Sequence, residues 1–546
     1  MIGRRMAVRL ALAIVVGALI GAVVGLVGPM VTGPSGTASI SGTPPVSGPL
    51  ASSEATPTAG PTPTSGATLT PSPPTAAARV VRETRVSPLP TSIRGRAWEP
   101  TVATHPTDPD RIAVIYQHRG GGQCGLEAVV RTSHDAGLTW QTATGHPGTG
   151  RGANYHATIA WGPGPTPGSS RLYYANTSVP RCDYTRHSAS VAYSDDEGAT
   201  WSKQYVENRT PPWKGGFPDI VVDRDPASPN YGVVYVAYNW LADPTRGPGL
   251  HILASVDFGQ TWIETEVPVA ATPAGFGDSW RIAYRLRTAP DGGLYASFYQ
   301  ADLRVWDKNH IFAKGGLANT GRIGFSVARL DFDRAAGAFT VQPAVMAAVL
   351  PRNEYTVGGA SAPGASANLY VDPAWLQGFD VDPVSGRLYL AVGDYRSQPA
   401  GTPRGSIVVY ASDDQGRTWT HQTIPAAPEV DGRVQSSFKP NLVAGAGYVM
   451  VAFHTLDDVA AGATVGNAYA VSFDGGVTWR GPVAITTARW RATNLAGLAN
   501  GPGLRERAER TAGGDVFFTY GDGRLAGGAQ AGWGAVFGAL ITVDTP

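Results

Sequence analysis

Acidic, basic and aromatic residues recur in this chain near the first residues of successive strand-like segments. Glu99 and Asp219 supply two carboxylates, and a carboxylate pair can hydrolyse a glycosidic bond. Arg281 supplies a guanidinium that can hold an anionic group of a ligand. We therefore predict these three residues as candidates for catalysis. The candidates for ligand contact are His156, Trp280, Lys439 and Arg510, with Gln377 and Arg507 at equivalent positions. A ring of ion pairs that satisfy one another is the structural alternative.

Five copies of the pattern Ser-x-Asp-x-Gly-x-Thr-Trp indicate how these residues are positioned. The copies begin 61, 61, 157 and 60 residues apart, so the longest interval contains at least one degenerate copy. A fixed period of this length indicates a repeat protein. We refer to each copy as a repeated turn. The copies start at Ser133, Ser194, Ser255, Ser412 and Ser472.

The residue types within each copy predict a structural role. The Asp carboxylate can accept hydrogen bonds from backbone N–H groups, and the Gly permits a positive φ, so the segment closes a hairpin. The Trp then packs against a neighbouring layer. A calcium site at Asp195-Asp196 or Asp413-Asp414 is the alternative, but the carboxylate spacing of a calcium loop is absent. The predicted structural residues are Asp135, Trp140, Asp196, Trp201, Asp257, Trp262, Asp414, Trp419, Asp474 and Trp479.

The strand pattern predicts an all-β, seven-bladed β-propeller over residues 79–546, with six blades as the alternative. Seven aromatic-rich segments read as the second strands of four-stranded blades. Gly337 marks a decayed repeated turn in the fourth unit, and residues from about 345 to 375 form an insertion. The strand-like segment 79–86 is predicted to close the ring as the outer strand of the last blade.

The five copies resemble the Asp-box, or bacterial neuraminidase repeat, of sialidases and related β-propellers. The resemblance covers most of the chain from about residue 94 and implies that the copies lie on the face away from the active site. Sialidases clamp their substrate with three arginines, one from a Phe-or-Tyr-Arg-Ile-Pro motif. In the corresponding stretch of this chain, Trp98 stands at the position of that arginine. Tyr284, and Tyr355 beside Glu354, match the family's tyrosine nucleophile by residue type only.

Composition narrows the range of partners. The formal net charge is +1, which does not favour an electrostatic nucleic-acid binder. No pattern typical of a phosphate loop or a metal cluster is present, so we expect no cofactor and no metal. Cys124 and Cys182 precede successive repeated turns by 9 and 12 residues, which places them in equivalent loops of adjacent blades. We therefore predict a disulfide between them.

The N-terminal region predicts a membrane tether. Basic residues precede an apolar run, so residues 1–32 are predicted to form a signal anchor that spans the membrane once. Residues 33–78 are rich in Pro, Thr and Ser and are predicted to be a disordered linker. The propeller is then expected on the extracellular side of the cell membrane, or to be secreted if the anchor is cleaved.

Two classes of function agree with these patterns. The first is a sialidase-like glycoside hydrolase that acts on an extracellular glycan or polysaccharide. The second is a non-catalytic propeller that binds a glycan or a protein partner. The missing arginine motif leaves both classes open.

Overall fold

The computed structural model of the protein describes an all-β body. The described residues are 76–89, 96–119, 124–143, 152–180, 182–183, 188–202, 205–206, 215–240, 249–268, 279–302, 322–351, 355–357, 369–371, 377–394, 405–457, 464–491, 505–525 and 534–545. The predicted anchor and nearly all of the predicted linker lie outside them. Across the described ranges, no helix has the length and apolar character needed to cross a membrane.

The described residues contain seven sheets built on four strands each, and we call these sheets blades 1 to 7. In blades 1 to 6 the four strands lie in the order in which they occur along the chain. The first three blades contain the following strands. Blade 1 has β2 Ala97–Thr104, β3 Ile112–Arg119, β4 Leu126–Ser133 and β5 Gln141–Thr142; blade 2 has β6 Gly152–Pro163, β7 Ser170–Pro180, β8 Ser188–Ser194 and β9 Tyr205–Val206; blade 3 has β10 Gly215–Val222, β11 Val234–Trp240, β12 Gly249–Ser255 and β13 Ile263–Val267.

The other four blades follow the same pattern. Blade 4 has β14 Ser279–Thr288, β15 Leu294–Asp302, β16 Arg322–Asp333 and β17 Ala338–Val341; blade 5 has β21 Gln377–Val381, β22 Leu388–Asp394, β23 Ser406–Ser412 and β24 Thr420–Thr423; blade 6 has β25 Gln435–Gly445, β26 Tyr448–Asp457, β27 Thr464–Ser472 and β28 Arg480–Ala484; blade 7 has β30 Arg507–Arg510, β31 Val516–Asp522, β32 Ala535–Asp544 and, as its outer strand, β1 Ala77–Arg85.

The innermost strands of the blades form a closed ring. Each of them contacts the innermost strands of the blades on either side, including the contact between the last blade and the first. The prediction of a seven-bladed β-propeller is therefore confirmed, and so is the closing strand, since β1 pairs antiparallel with β32. We call the space enclosed by the ring the channel.

Short strands supplement blades 4 and 6. β18 Val345–Pro351 pairs with the first half of β16, next to the part of β16 that pairs with β17. β29 Trp490–Arg491 pairs with β27. A separate two-stranded sheet joins β19 Tyr355–Val357 to β20 Leu369–Val371. The described part of the predicted insertion therefore contains paired strands. Gly337 adopts φ 60° in the turn before β17, where the degenerate copy was predicted.

Each repeated turn closes on itself through hydrogen bonds, as the copy in blade 5 shows. The Asp414 carboxylate accepts hydrogen bonds from Ser412 Oγ at 2.8 Å, and from the backbone N–H and Oγ1 of Thr418 at 2.8 and 2.6 Å. The Gly416 N–H donates to Ser412 Oγ at 2.9 Å. Corresponding bonds occur at the other four copies. Three hydrogen bonds to one carboxylate thus hold the turn closed.

The repeated turns also connect neighbouring blades. Trp140 packs against Phe517 of blade 7, with ring centroids 5.8 Å apart. Trp201, Trp262 and Trp479 each pack against a hydrophobic cluster shared by two adjacent blades. Burial of such large aromatic surfaces contributes strongly to stability. The repeated turns thus help to hold consecutive blades in place.

A disulfide connects blades 1 and 2. Cys124 lies between β3 and β4, Cys182 lies between β7 and β8, and their Cα atoms are 5.4 Å apart across the bridge. This is the pair that the equivalence of the two loops predicts. Both loops follow the second strand of a blade, and they lie at the end of the channel opposite the repeated turns.

Candidate functional site

The two ends of the channel differ in what the innermost strands place there. In blade 1, Thr104, Ile112 and Ser133 lie side by side, so the innermost strand ends where the repeated turn begins. We call this the turn end of the channel. The innermost strands start at the other end, which we call the bulge end for the following reason.

The innermost strands of five blades change register near their first residues. The shifts lie between Trp98 and Thr101, Tyr155 and Thr158, Gly216 and Asp219, Ala283 and Arg285, and Phe438 and Asn441. A β-bulge leaves a residue of the bulged strand outside the ladder of hydrogen bonds. In three blades the skipped residues include a proline, which has no N–H to donate. These prolines are Pro100, Pro218 and Pro440.

Four of these bulges hold a non-glycine residue in the left-handed region. Glu99, His156, Phe217 and Lys439 have φ of 53°, 53°, 54° and 57°, and we call these four residues the bulge ring. This conformation costs a residue with a Cβ roughly 1–2 kcal/mol. Such strain is concentrated at functional sites, where the surrounding structure maintains it. The four side chains include a carboxylate, an imidazole, an aromatic ring and an ammonium group.

An acidic residue from blade 7 joins the bulge ring. Glu506, directly before β30, pairs with the Lys439 ammonium at 3.0 Å and with His454 Nε2 at 2.7 Å. It also accepts a hydrogen bond from the Gly521 N–H at 2.9 Å. Burial alone would raise the pKa of Glu506, but the charges of His454 and Lys439 outweigh burial and lower the pKa, so the carboxylate stays ionised.

Lys439 lies within electrostatic reach of two acids. Its ammonium pairs directly with Glu506 and is also stabilised by the charge of Glu99. Burial nevertheless lowers the pKa of Lys439 from its ordinary value. Gln117 Nε2 donates a hydrogen bond to Glu99 Oε2. The bulge end therefore contains two buried carboxylates that share one cation.

Aromatic rings and an unsatisfied amide complete the described part of the bulge end. His156 stacks on Phe217 of the next blade, with centroids 4.0 Å apart and planes inclined by 27°. Gln377 begins β21, and its side chain is fully buried. Among the described residues, neither its amide oxygen nor its amide nitrogen has a hydrogen-bond partner. A buried amide normally finds a partner, because leaving it without one costs about 1–3 kcal/mol.

Asp219 lies beyond the bulge, deeper in the channel. Its carboxylate pairs with Arg507 Nη1 at 3.2 Å and accepts a hydrogen bond from the Leu286 N–H at 2.8 Å. Burial acts to raise the pKa of Asp219, but the nearby guanidiniums, that of Arg507 foremost, lower it below its ordinary value. Phe217 occupies the position in the ring that the sequence analysis gave to Asp219, because the bulge adds residues before it.

The remaining residues predicted from the sequence either lie at the turn end of the channel or have side chains outside the described residues. Trp280 and Arg281 are in β14, two to three residues before its bulge, and their side chains lie outside the described residues. The same holds for the side chains of Tyr284 and Tyr355, and for Glu354 entirely. Arg510 is the last residue of β30 and therefore lies at the turn end, not with Glu99 and Lys439.

Several residues of this site were missed by the sequence analysis. Glu506 and Gln117 pair with residues of the bulge ring from other strands, and His454 pairs with Glu506. No shared motif marks these three residues. Phe217 did carry a signal, because the pattern residue-Pro occurs at Glu99-Pro100, Phe217-Pro218 and Lys439-Pro440. Within the described ranges, no group of three or more His, Cys, Asp or Glu residues is arranged to hold a metal ion.

The class of protein defined by this fold and site is an all-β, seven-bladed propeller with a polar site at one mouth of its channel. No protein-family model matches the chain, and no curated protein was found to be similar to it.

Among solved structures, the chain is similar to several propellers at low identity. The α-L-arabinofuranosidase Arb93A from Fusarium graminearum is 12% identical with a TM-score of 0.39, covering 68% of this chain and 92% of that one. A PL25 ulvan lyase is 12% identical with a TM-score of 0.42, covering 80% and 93%. The phage phi92 endosialidase is 11% identical with a TM-score of 0.39, covering 85% and 69%. Similarity at this level does not extend to an activity.

Proposed function

We propose that the protein is a membrane-tethered, extracellular propeller that binds a glycan at the bulge end of its channel and hydrolyses it in the manner of a glycoside hydrolase. The observation that carries this proposal is the bulge ring. Four different side chains are held at positive φ at equivalent positions, where the fold itself requires no particular residue. Strain that recurs with four different side chains, three of them directly before a proline, is best explained by a site that the side chains build together.

The chemistry of the bulge end suits a sugar. The rings of His156 and Phe217 stack on each other and are 8% and 3% exposed, so an edge of this pair is what a sugar ring could contact. Carboxylates and amides can bind the hydroxyl groups of the sugar. The unsatisfied amide of Gln377 supports this assignment, since a bound hydroxyl group could serve as both its donor and its acceptor.

The candidate catalytic pair is Glu99 and Glu506. Glu506 remains ionised because His454 and Lys439 stabilise its charge, so it suits the role of base or nucleophile. Glu99 is the candidate acid by its position in the bulge ring, where Gln117 Nε2 donates a hydrogen bond to its Oε2. Glu506 takes the place that Asp219 has in the sequence-based prediction, since it contacts a residue of the bulge ring directly.

An assay on the full-length chain in detergent tests this proposal. We expect release of reducing sugar from a panel of bacterial and plant polysaccharides and sialosides. Glu99→Gln and Glu506→Gln should each reduce turnover at least 100-fold, as expected for loss of an acid or base. Glu429→Gln is the matched control, because Glu429 is exposed and outside the channel. Equal activity in all variants would exclude the two carboxylates.

A non-catalytic glycan- or protein-binding propeller is the second candidate function. The pairing of Glu506 and Asp219 with cations favours it, because paired carboxylates can serve a structural purpose alone. Binding to a glycan array without any released sugar, reduced by Gln377→Leu, would support this candidate. Absence of both binding and turnover on all glycans would reject the glycan proposal.

The location of the protein is part of the proposal. The apolar N-terminal segment and the Cys124–Cys182 bridge both suit a protein exported to an oxidising compartment. We expect the full-length chain to sediment with membranes after a high-salt wash and to be cleaved by protease added to intact cells. Recovery in the soluble cell fraction would contradict the tether.

A further inference from the structure

The turn end of the channel opens into a cavity that the proposed function does not use. Its volume is about 470 Å³, within the range of small-molecule sites. The last residues of the innermost strands and the loops that follow them form its wall. The charged residues in this wall are Arg224, Asp225, Arg287, Asp380, Glu509 and Arg510, and the wall also includes His105 and Thr511.

A network of ion pairs separates this cavity from the bulge end. Arg507 Nε lies 2.6 Å from Glu509 Oε1, and Arg507 also pairs with Asp219. Arg287 lies 2.7 Å from Asp380 and 3.4 Å from Glu509. Asp380 and Glu509 in the wall of the cavity are therefore paired with the guanidiniums of Arg287 and Arg507.

Two further guanidiniums in the wall, those of Arg510 and Arg224, have no close carboxylate partner among the described residues. Arg510 makes no side-chain hydrogen bond or ion pair within the described ranges. Arg224 donates to the Thr104 carbonyl at 2.9 Å, but its distance to Glu509 is 4.0 Å, the outer limit of an ion pair. Burial lowers the pKa of Arg224, and the neighbouring charges of Arg510 and Arg287 lower it further, against the attraction of Glu509.

The same wall contains an unpaired hydroxyl group. Thr511 is 4% exposed, and its Oγ1 has no hydrogen-bond partner among the described residues. Asp225 adds one carboxylate to the wall, and its Oδ1 accepts the Ala227 N–H at 2.9 Å. His105 also lines the cavity, and burial lowers its pKa to about 4, so it is neutral at pH 7.

We propose that the cavity at the turn end is a second ligand site, which takes a small oxyanion bearing a carboxylate or a phosphate group. Arg224 and Arg510 provide the charge-assisted hydrogen bonds that such groups prefer. Thr511 provides a hydroxyl donor, which an anionic oxygen can accept. This site lies at the opposite end of the channel from the bulge ring, so it stands or falls independently of the proposed glycan site.

Calorimetric titration of the full-length chain in detergent, at low ionic strength, tests the site. Inorganic phosphate and citrate are the two probes, and the one that binds more tightly identifies which oxyanion is preferred. We expect one saturable site per chain, with affinity reduced at least tenfold by Arg510→Ala and by the milder Arg510→Gln. Arg417→Ala is the matched control, because Arg417 is exposed in the repeated turn of blade 5 and outside the cavity.

The outcomes of this test are distinct. Binding that weakens in the Arg510 variants but not in Arg417→Ala supports the site. Binding of neither probe, or equal weakening by all three substitutions, overturns it. A thermal shift with phosphate provides a second measurement, since a ligand that binds only the folded state raises the unfolding temperature. Glycan binding at the bulge end should not change in Arg510→Ala.

Discussion

The repeated turns and the bulge ring both hold non-glycine residues at positive φ, yet they are built in opposite ways. In the turns, Ala136, Glu197, Phe258 and Gln415 adopt φ of 53–61° within a nearly constant sequence, and the polar groups bond within eight residues. In the bulge ring, the residues differ from blade to blade, and Lys439 bonds to a residue of another blade.

The two bonding patterns distinguish residues that stabilise the fold from residues that build a site. A strained residue within a locally saturated turn stabilises a corner of the architecture, so the same solution can recur in every blade. A strained residue whose partners come from other blades depends on the complete ring. Substitutions in the channel should therefore have larger effects than substitutions in the turns.

The largest effect is expected in the channel network. Arg507→Met removes the closest cation of both Asp219 and Glu509, and loss of one partner of a buried ion pair costs about 3–5 kcal/mol. Urea unfolding of the variant should show that loss. Arg417→Met removes an exposed arginine of a repeated turn and should stay within about 0.5 kcal/mol of the wild type. Similar losses of unfolding free energy in both variants would show that the channel and the repeated turns do not differ in this respect.

Removal of the disulfide should come next in size. The bridge spans 58 residues, and the loss of a cross-link over a loop of that length costs up to about 4 kcal/mol. The double variant Cys124→Ser/Cys182→Ser should unfold at a correspondingly lower guanidinium concentration. Reduction of the wild-type protein should reproduce this shift, and an unchanged midpoint after reduction would show that the bridge does not stabilise the bulge end.

Two adjacent aspartates test the repeated turn itself. Asp414 accepts three hydrogen bonds within the turn, whereas Asp413 forms a single exposed ion pair with Arg387 at 3.2 Å. Asp414→Ala should lower the urea midpoint at least three times as much as Asp413→Ala, because exposed ion pairs contribute little. Equal shifts would indicate that the turn is held by its tryptophan alone.

Acid should weaken the turns by a smaller amount than deletion of the carboxylate. Hydrogen bonds from the hydroxyl and the N–H of Thr418 lower the pKa of Asp414 from 3.8 to about 2. Its contribution to stability is therefore fully present above pH 4 and is lost as the pH falls towards 2. Unfolding midpoints measured from pH 5 to pH 2 should fall less steeply in Asp414→Asn than in the wild type. Asp413→Asn should follow the wild-type curve.

The smallest effect should be a gain in stability. Gln415 is exposed at φ 61°, and blade 6 has Gly475 at the corresponding position with φ 73°. Gln415→Gly should therefore stabilise the protein by about 0.5 kcal/mol, because glycine adopts this conformation without strain. Gln422→Gly, in the exposed strand β24, should instead destabilise it by a similar amount. A loss of stability in both variants would show that residue 415 is not strained.

The two regions also differ in how far the sequence predicts them. The turns recur with a fixed period, so the number of blades and the closing strand follow from the sequence. A bulge shifts the alignment by one or two residues, which is why Asp219 was predicted in place of Phe217. The sequence pattern also does not indicate how long an innermost strand is. Arg510, the last residue of β30, was therefore grouped with residues of the bulge end although it lies at the turn end.

Some of the site residues that the sequence analysis missed depend on contacts between blades. Glu506 meets Lys439 and His454 only because blades 6 and 7 are adjacent in the ring. Neither the residue types nor their separations along the chain indicate such a meeting. The Cys124–Cys182 disulfide could be predicted from the sequence, because the two cysteines precede successive repeated turns by similar distances, 9 and 12 residues.

The pairing of β1 with β32 has a consequence for how the protein matures. Ala77 lies opposite Asp544, so β1 cannot pair in its sheet until β32 has been synthesised. Closing a loop of this length has a substantial entropic cost, which only the completed sheet offsets. Until the ribosome has released the final strand, the nascent chain exposes two unpaired edges, and a chaperone that shields them would favour correct closure over aggregation.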